Sequence, residues 1–146
     1  MDATQQSEEL TAAQALELLG GVRFGRIVFT SRAMPAVKPV RHVLADGQIV
    51  IAIGPELVLG PSPAANGVTG DTIVAYEADQ LDASGCSGWS VVVVGRARAV
   101  TGKAQESRYR QLLPAVTVPD QLIAISPDVV TGLRLVGNGE PVGAPH

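Results

Sequence analysis

The stretch Gly88-Trp89-Ser90-Val91-Val92-Val93-Val94-Gly95-Arg96-Ala97 is the longest strand candidate in the chain. Because side chains alternate along a strand, one face carries Trp89, Val91, Val93, Gly95 and Ala97, and the other carries Ser90, Val92, Val94 and Arg96. Both faces are apolar in the first half, so both need cover. A closed barrel covers one face, and a helix or a second subunit must cover the other.

The composition favours a small β-rich domain. The chain has 146 residues, which fits one domain, and its 46% hydrophobic and 17% charged residues exclude a disordered chain. Aromatic residues make up only 3%, so the core must be built from Val, Ile, Leu and Ala. Sixteen glycines and ten prolines indicate frequent turns between short strands, as in a barrel or sandwich.

Charge and cysteine content narrow the possible surroundings and partners. The net charge of −3 disfavours nucleic acid, and no apolar run reaches the roughly 18 residues that span a bilayer. A single cysteine, Cys86, cannot form an internal disulfide, and the polar, acidic N-terminus is unlike a signal peptide. We therefore expect a reduced, cytoplasmic protein that binds neither membrane nor nucleic acid.

Local signals place the remaining elements. Thr11-Ala12-Ala13-Gln14 fits a capping box and predicts a helix over 12–19, and Asp46-Gly47 predicts a tight β-hairpin. Pro39 indicates an edge position or a bulge in its strand. We predict flexible ends over 1–9 and 137–146 around one domain over 10–136. Its strands cover 24–30, 35–44, 48–53, 72–78, 89–100, 122–125 and 130–136, with a second helix over 103–113. The Gly- and Pro-rich loop 54–70 is of the length typical of functional or mobile loops.

Most familiar catalytic motifs are missing. His42 lies in the middle of a predicted strand, where a buried, hydrogen-bonded histidine is favoured over a metal ligand, and no Cys/His cluster has zinc spacing. The nucleophile pattern G-x-S-x-G, the dinucleotide pattern G-x-G-x-x-G and the P-loop are absent. Cys86 has no basic neighbour that would lower its thiol pKa, which favours an inert role.

Two groups of cations remain, Lys38 with Arg41 and Arg96 with Arg98. Paired cations on a rigid sheet can hold a phosphate or a carboxylate. From the chemistry alone, a solvated strand face or salt bridges to the acidic residues is the favoured explanation.

Several segments resemble the pyridoxamine 5′-phosphate oxidase-like FMN-binding split barrels. Residues 25–29 resemble the first barrel strand of that family, and residues 39–44 followed by Asp46-Gly47 resemble its second strand and hairpin. Residues 88–97 look like the Gly-Trp-Ser strand of one bacterial branch, and residues 130–134 like its closing strand. The resemblance implies a mostly β fold, a Greek-key split barrel of six to seven antiparallel strands with two short helices. It also implies a homodimer with a flavin at the subunit interface.

Two departures from the family pattern concern the phosphate of the flavin. The family's Ser/Thr-Lys pair, which grips the phosphate, matches Leu57 and Val58 here, and Arg41 stands where family members often have Asn. Lys38 or Arg41 could replace the lost lysine, or the site could have changed its ligand.

The resemblance thus implies a flavin-dependent oxidoreductase that acts on a small conjugated substrate. FMN is the expected cofactor, with a deazaflavin coenzyme or none as alternatives. The expected cofactor-binding residues are Lys38, Pro39, Val40, Arg41, Ile53, Gly54, Trp89 and Ser90, without a metal or an assigned catalytic residue. The alternative hypothesis is a flavin-free dimeric ligand-binding or interaction protein on the same scaffold, favoured by the loss of the Ser/Thr-Lys pair.

Overall fold

Strands dominate the structure, a computed structural model that describes residues 5–55, 57, 59, 72–113 and 120–137. The elements in chain order are β1 (Gln5–Glu9), α1 (Ala12–Gly20), β2 (Phe24–Ser31), β3 (Met34–Ala45), β4 (Gln48–Ile53), β5 (Thr72–Leu81), β6 (Gly88–Ala99), α2 (Lys103–Leu112), β7 (Gln121–Ile125) and β8 (Val129–Gly137). No helix within the described ranges is long and apolar enough to cross a membrane.

Six antiparallel strands close into a barrel. The order along the sheet is β1-β8-β6-β5-β2-β3-β4-β7, and a further pairing of β6 with β7 joins the ends of the six strands β2 to β7. The long β6 strand makes this possible because its C-terminal residues, Ala97 to Ala99, pair with β7 while its first half pairs with β8. The predicted mostly β split barrel with two short helices is confirmed.

The N-terminal segment departs from the sequence prediction. Residues 1–9 were expected to be flexible, but Gln5–Glu9 form strand β1, which pairs antiparallel with Leu133–Gly137 of β8. Gly137, assigned to the flexible tail, is the last residue of that strand. Among the described strands, β1 pairs only with β8, whereas β8 also pairs with β6, so the form of β1 depends on a distant segment that its local composition does not encode.

The two hairpins of the barrel that turn on two residues have different sequence signals. Asp46 and Gly47 both have positive φ, 54° and 72°, as a two-residue primed turn requires, so the predicted hairpin is confirmed. The β2–β3 hairpin also turns on two residues, Arg32 and Ala33, with φ of 52° and 63°. Neither residue favours positive φ, so no residue type in the sequence marks this as a two-residue turn.

The two helices pack against different core clusters of the barrel. Thr11 and Gln14 form the predicted capping box, and α1 buries Ala15 and Leu19 in the main core. Helix α2 adds a smaller core of Val50, Tyr109, Leu113 and Leu122. The Tyr109 hydroxyl donates to the Asp46 carboxylate at 2.6 Å, which ties this helix to the β3–β4 hairpin.

Candidate functional site

The N-terminal half of β3 forms a sheet edge at the centre of the predicted site. Residues 34–41 pair with β2, but β4 pairs with β3 only from His42 to Ala45. The edge position predicted from Pro39 is therefore confirmed. Because no described strand pairs with Pro39 on the β4 side, the missing N–H of the proline costs no hydrogen bond there. A ligand can approach the backbone of this stretch from the side that β4 leaves uncovered.

The two candidate cations of β3 lie on opposite faces. Lys38 is opposite Ile27, whose side chain is buried, whereas Arg41 is opposite the exposed Phe24. Residues three apart on a strand point to opposite sides of the sheet. Lys38 and Arg41 therefore cannot hold one phosphate together from the same side.

Arg41 lines a cavity of about 300 Å³. Its guanidinium carbon is 4.7 Å from the centre of the Phe24 ring on the paired strand, a cation–π contact that restrains the side chain. The cavity is lined by Gly20, Val22, Arg23, Arg41, His42, Val43 and Leu112. It therefore combines two arginines with an apolar wall.

Pro39 borders a second, smaller hollow of about 150 Å³ on the outer side of the barrel. Its other lining residues are Phe24, Gly25, Arg26 and Asp79. Arg26 pairs with Glu77 at 2.8 Å and with Asp79 at 3.5 Å. Partial burial and the neighbouring Asp79 carboxyl raise the pKa of Glu77, while Arg26 acts in the opposite direction.

The other predicted site residues are divided between core and surface. The side chains of Ile53 and Trp89 are buried in the main core, and Val40 packs against it, so none of the three presents its whole side chain to a ligand. Gly54 follows β4 and is half-buried. Ser90 lines a separate groove of about 400 Å³ with Glu9, Leu10, Val92, Val130, Thr131, Gly132 and Leu133. None of the three cavities lined by described residues contains both Ser90 and a residue of β3.

At the first position of the family's Ser/Thr-Lys pair, the structure places an apolar residue, Leu57. Leu57 is half-buried and packs against the main core, and nearby Leu59 is fully buried. Val58 and most of the loop 54–70 lie outside the described residues. Leu57 cannot donate a side-chain hydrogen bond to a phosphate, whereas the arginines beside β3 are chemically suited to bind an anion.

His42 is a buried structural residue, as the sequence predicts. The Tyr76 hydroxyl is 2.5 Å from Nδ1, and the carbonyl oxygen of Leu19 is 2.9 Å from Nε2. The carbonyl can only accept, so Nε2 carries the proton and Nδ1 accepts from the tyrosine. Both ring nitrogens are used, and burial lowers the pKa of His42.

This burial predicts a pH-dependent stability. Between the lowered folded pKa of His42 and the ordinary value of about 6.5, only the unfolded chain takes up the proton, so the free energy of unfolding falls as pH decreases. We expect wild-type protein to lose stability from pH 7.5 to 5.5 with a slope of up to about 1.4 kcal/mol per pH unit. His42→Gln should lack this component in urea titrations, whereas Tyr76→Phe should retain it. Equal slopes in wild type and His42→Gln would contradict the assignment.

Cys86 lies in an exposed loop that is organised by Asp82. The Asp82 carboxylate accepts hydrogen bonds from the hydroxyls of Ser84 and Ser87 and from the backbone N–H of Cys86. These hydrogen bonds lower the pKa of Asp82. The arrangement explains the form of the loop and gives the thiol no basic partner among the groups described here.

Arg23 is a site residue that the sequence analysis missed. It follows α1 and precedes β2, where no motif marks it, and its backbone carbonyl accepts from the His42 N–H. The β2–β3 register therefore brings it beside Arg41, which is 18 positions away in the sequence. Only knowledge of that register could have predicted the pair.

Comparison with known proteins identifies the family. The family model for pyridoxamine 5′-phosphate oxidase matches residues 11–134. An uncharacterized protein of Mycobacterium tuberculosis, Rv0080, is 42% identical over 134 residues, which cover 89% of this chain and 86% of that protein. The chain therefore belongs to the pyridoxamine 5′-phosphate oxidase-like family.

Solved structures agree with this assignment. A Corynebacterium glutamicum protein, provisionally named a pyridoxamine 5′-phosphate oxidase, is 27% identical with a TM-score of 0.68, over 96% of this chain and 99% of that one. The FAD binding protein from Mycobacterium smegmatis is 24% identical with a TM-score of 0.65, over 88% of this chain and 97% of that one. At 24% identity, the likeness to the Mycobacterium smegmatis protein shows a shared fold.

Proposed function

We propose that the protein is a homodimeric flavin-binding oxidoreductase that uses FMN and acts on a small conjugated substrate. The observation that carries the proposal is the family match, which spans the whole closed barrel. The name of the Mycobacterium smegmatis relative, an FAD binding protein, supports a flavin on this fold. A bound flavin would supply the hydride chemistry, and the protein would supply orientation and shelter from water.

The residues of this chain would hold the flavin mainly through backbone. The edge of β3 that β4 leaves unpaired carries Pro39, Val40 and Arg41, and β4 ends at Ile53, which Gly54 follows. Backbone N–H and C=O groups at such an edge can pair with the polar rim of a planar ring system. Lys38 and Arg41 offer positive charge on either face of the same strand. Trp89 supports the start of β6 from the core, and Ser90 offers a hydroxyl to a flavin at a subunit interface.

A continuous apolar row supports the proposed homodimer. The row runs directly across five paired strands on the outer face of the sheet and consists of Val37, Val28, Ala75, Val94 and Val129. The two residues at its ends are 61% and 56% exposed. A second copy of the chain would cover this row and the half-exposed outer face of β6, which one chain leaves uncovered.

A second candidate function is a flavin-free dimeric ligand-binding protein. The observation in its favour is Leu57, which packs against the core at the position of the family's phosphate grip. A deazaflavin coenzyme is the intermediate case, because it keeps a flavin-like ring in which carbon replaces one nitrogen. The two functions predict different spectra for the same purified protein.

Flavin content distinguishes the two candidates. Protein purified from cells supplied with riboflavin should be yellow and, after acid denaturation, release a flavin that chromatography separates into riboflavin, FMN or FAD. Release of FMN supports the proposal, and release of a deazaflavin revises the cofactor. Colourless protein that takes up none of these compounds supports the flavin-free alternative.

We also propose a cytoplasmic location. The chain has a single cysteine, and in the structure Cys86 is exposed and free. Free exposed thiols are typical of reducing compartments.

A further inference from the structure

The cavity beside α1 carries positive charge without compensating acid. Among its seven lining residues, Arg23 and Arg41 bring two guanidinium groups, and none of the seven is an Asp or a Glu. Both arginines are exposed residues, so a ligand from solvent can reach them. Two guanidinium groups at one concave surface favour the binding of an anion.

The two arginines differ from the other arginines that the structure pairs with acids. Arg26, Arg96, Arg108 and Arg110 form ion pairs with Glu77, Asp128, Asp46 and Glu106, respectively. Arg41 instead stacks on Phe24, and Arg23 has no acidic partner among the described residues. Stacking on the ring fixes the position of the Arg41 guanidinium and leaves its N–H donors at the ring's periphery available to a ligand.

The remaining lining residues shape the cavity without competing for the anion. Val22, Val43 and Leu112 form an apolar wall, and Gly20 at the end of α1 adds no side chain. Both ring nitrogens of His42 are already engaged by Leu19 and Tyr76, so the imidazole serves as a wall and not as a ligand. A volume of about 300 Å³ accommodates a phosphate group together with part of the molecule that carries it.

We propose that this cavity binds a phosphate group between Arg23 and Arg41. Guanidinium groups match the oxygen spacing of phosphate, and two of them balance its two charges. The phosphate could belong to the flavin, in which case the inference rests on the proposed function. It could equally belong to a separate phosphate-bearing ligand, in which case the cavity binds that ligand whether or not the protein binds a flavin.

Two probes separate these sources. Titrations with FMN and with riboflavin, which lacks the phosphate, measure the contribution of a flavin phosphate. Inorganic phosphate, followed by the rise in the melting temperature, reports on the cavity alone. The variants are Arg23→Gln and Arg41→Gln, and Arg134→Gln serves as the control because it removes an exposed arginine on β8, outside the cavity.

We expect either cavity variant to weaken FMN by about 10- to 150-fold while riboflavin binding is unchanged, and Arg134→Gln to resemble wild type. If wild type binds no flavin but phosphate raises its melting temperature, and the cavity variants lose this rise, the inference stands and the proposed function falls. If wild type shows neither a preference for FMN over riboflavin nor stabilisation by phosphate, the inference is overturned. Equal responses in all four proteins also overturn it.

Discussion

Gly95→Ala is expected to lower the free energy of unfolding by at least about 3 kcal/mol. Gly95 lies in the middle of β6, where the turn between β7 and β8 crosses close to the strand. A methyl group on Gly95 would overlap the Ser126 carbonyl oxygen, and it would lie 2.8 Å from the carbonyl carbon and 3.2 Å from the Asp128 nitrogen. Because these atoms belong to the backbone, no side-chain rotation relieves the clash.

The substitution would also weaken the contacts that close the barrel. The Ser126 N–H donates to the Arg96 carbonyl at 2.9 Å, and β6 pairs with β7 immediately beyond this point. If the turn moved away from β6 to relieve the clash, both this hydrogen bond and the β6–β7 pairing would be strained. Gly102→Ala is the matched control, since a methyl group there has its nearest neighbours at 3.9 Å. Urea denaturation measures both variants, and an equal loss of stability in the two would refute this explanation.

Val94→Glu should convert the proposed homodimer into monomers. Val94 is the fourth residue of the apolar row, directly between Ala75 and Val129 on the paired strands. A carboxylate there would be buried without a partner in a self-complementary interface, and the symmetry would introduce two such charges. We expect the dimer dissociation constant to rise at least about 100-fold, which corresponds to roughly 3 kcal/mol.

The interface prediction needs folded variants and a control. Val129→Glu is the second variant, because Val129 is 56% exposed and the substitution leaves the core intact. Met34→Glu is the control, since Met34 is an exposed apolar residue at the β2–β3 turn, outside the row. Sedimentation velocity, with circular dichroism to verify folding, gives the result. Wild-type protein that is monomeric at micromolar concentration, or a dimer that survives both row variants, would contradict the prediction.

The sequence predicted the elements that are specified by residues within the element itself. Asp46-Gly47 specifies its own turn, and Thr11 with Gln14 specifies the start of its own helix. Strand β6 was predictable from its length and alternation, and the alternation agrees with the burial of Val91 and Val93. By contrast, β1 exists because Leu133–Gly137 lie beside it, and no signal within Gln5–Glu9 predicts that neighbour.

The candidate site was predictable only in part, for a related reason. Pro39 and Arg41 were found because they lie on one strand beside a recognisable hairpin. The opposite faces of Lys38 and Arg41 follow from strand alternation and could have been inferred from the sequence. The β2–β3 register places Arg23 near Arg41 and stacks Arg41 on Phe24. This register could not be predicted from the sequence.

Flavin titration tests the central claim, that this barrel is a flavin-binding protein, most directly. Flavin-free protein is added to FMN, FAD, riboflavin and a deazaflavin in turn, and binding is followed by the change in flavin fluorescence. We predict saturable binding of FMN with a dissociation constant in the micromolar range or below, at one flavin per chain. Absence of saturable binding for all four compounds, by protein that is folded and at concentrations up to the millimolar range, would contradict the claim.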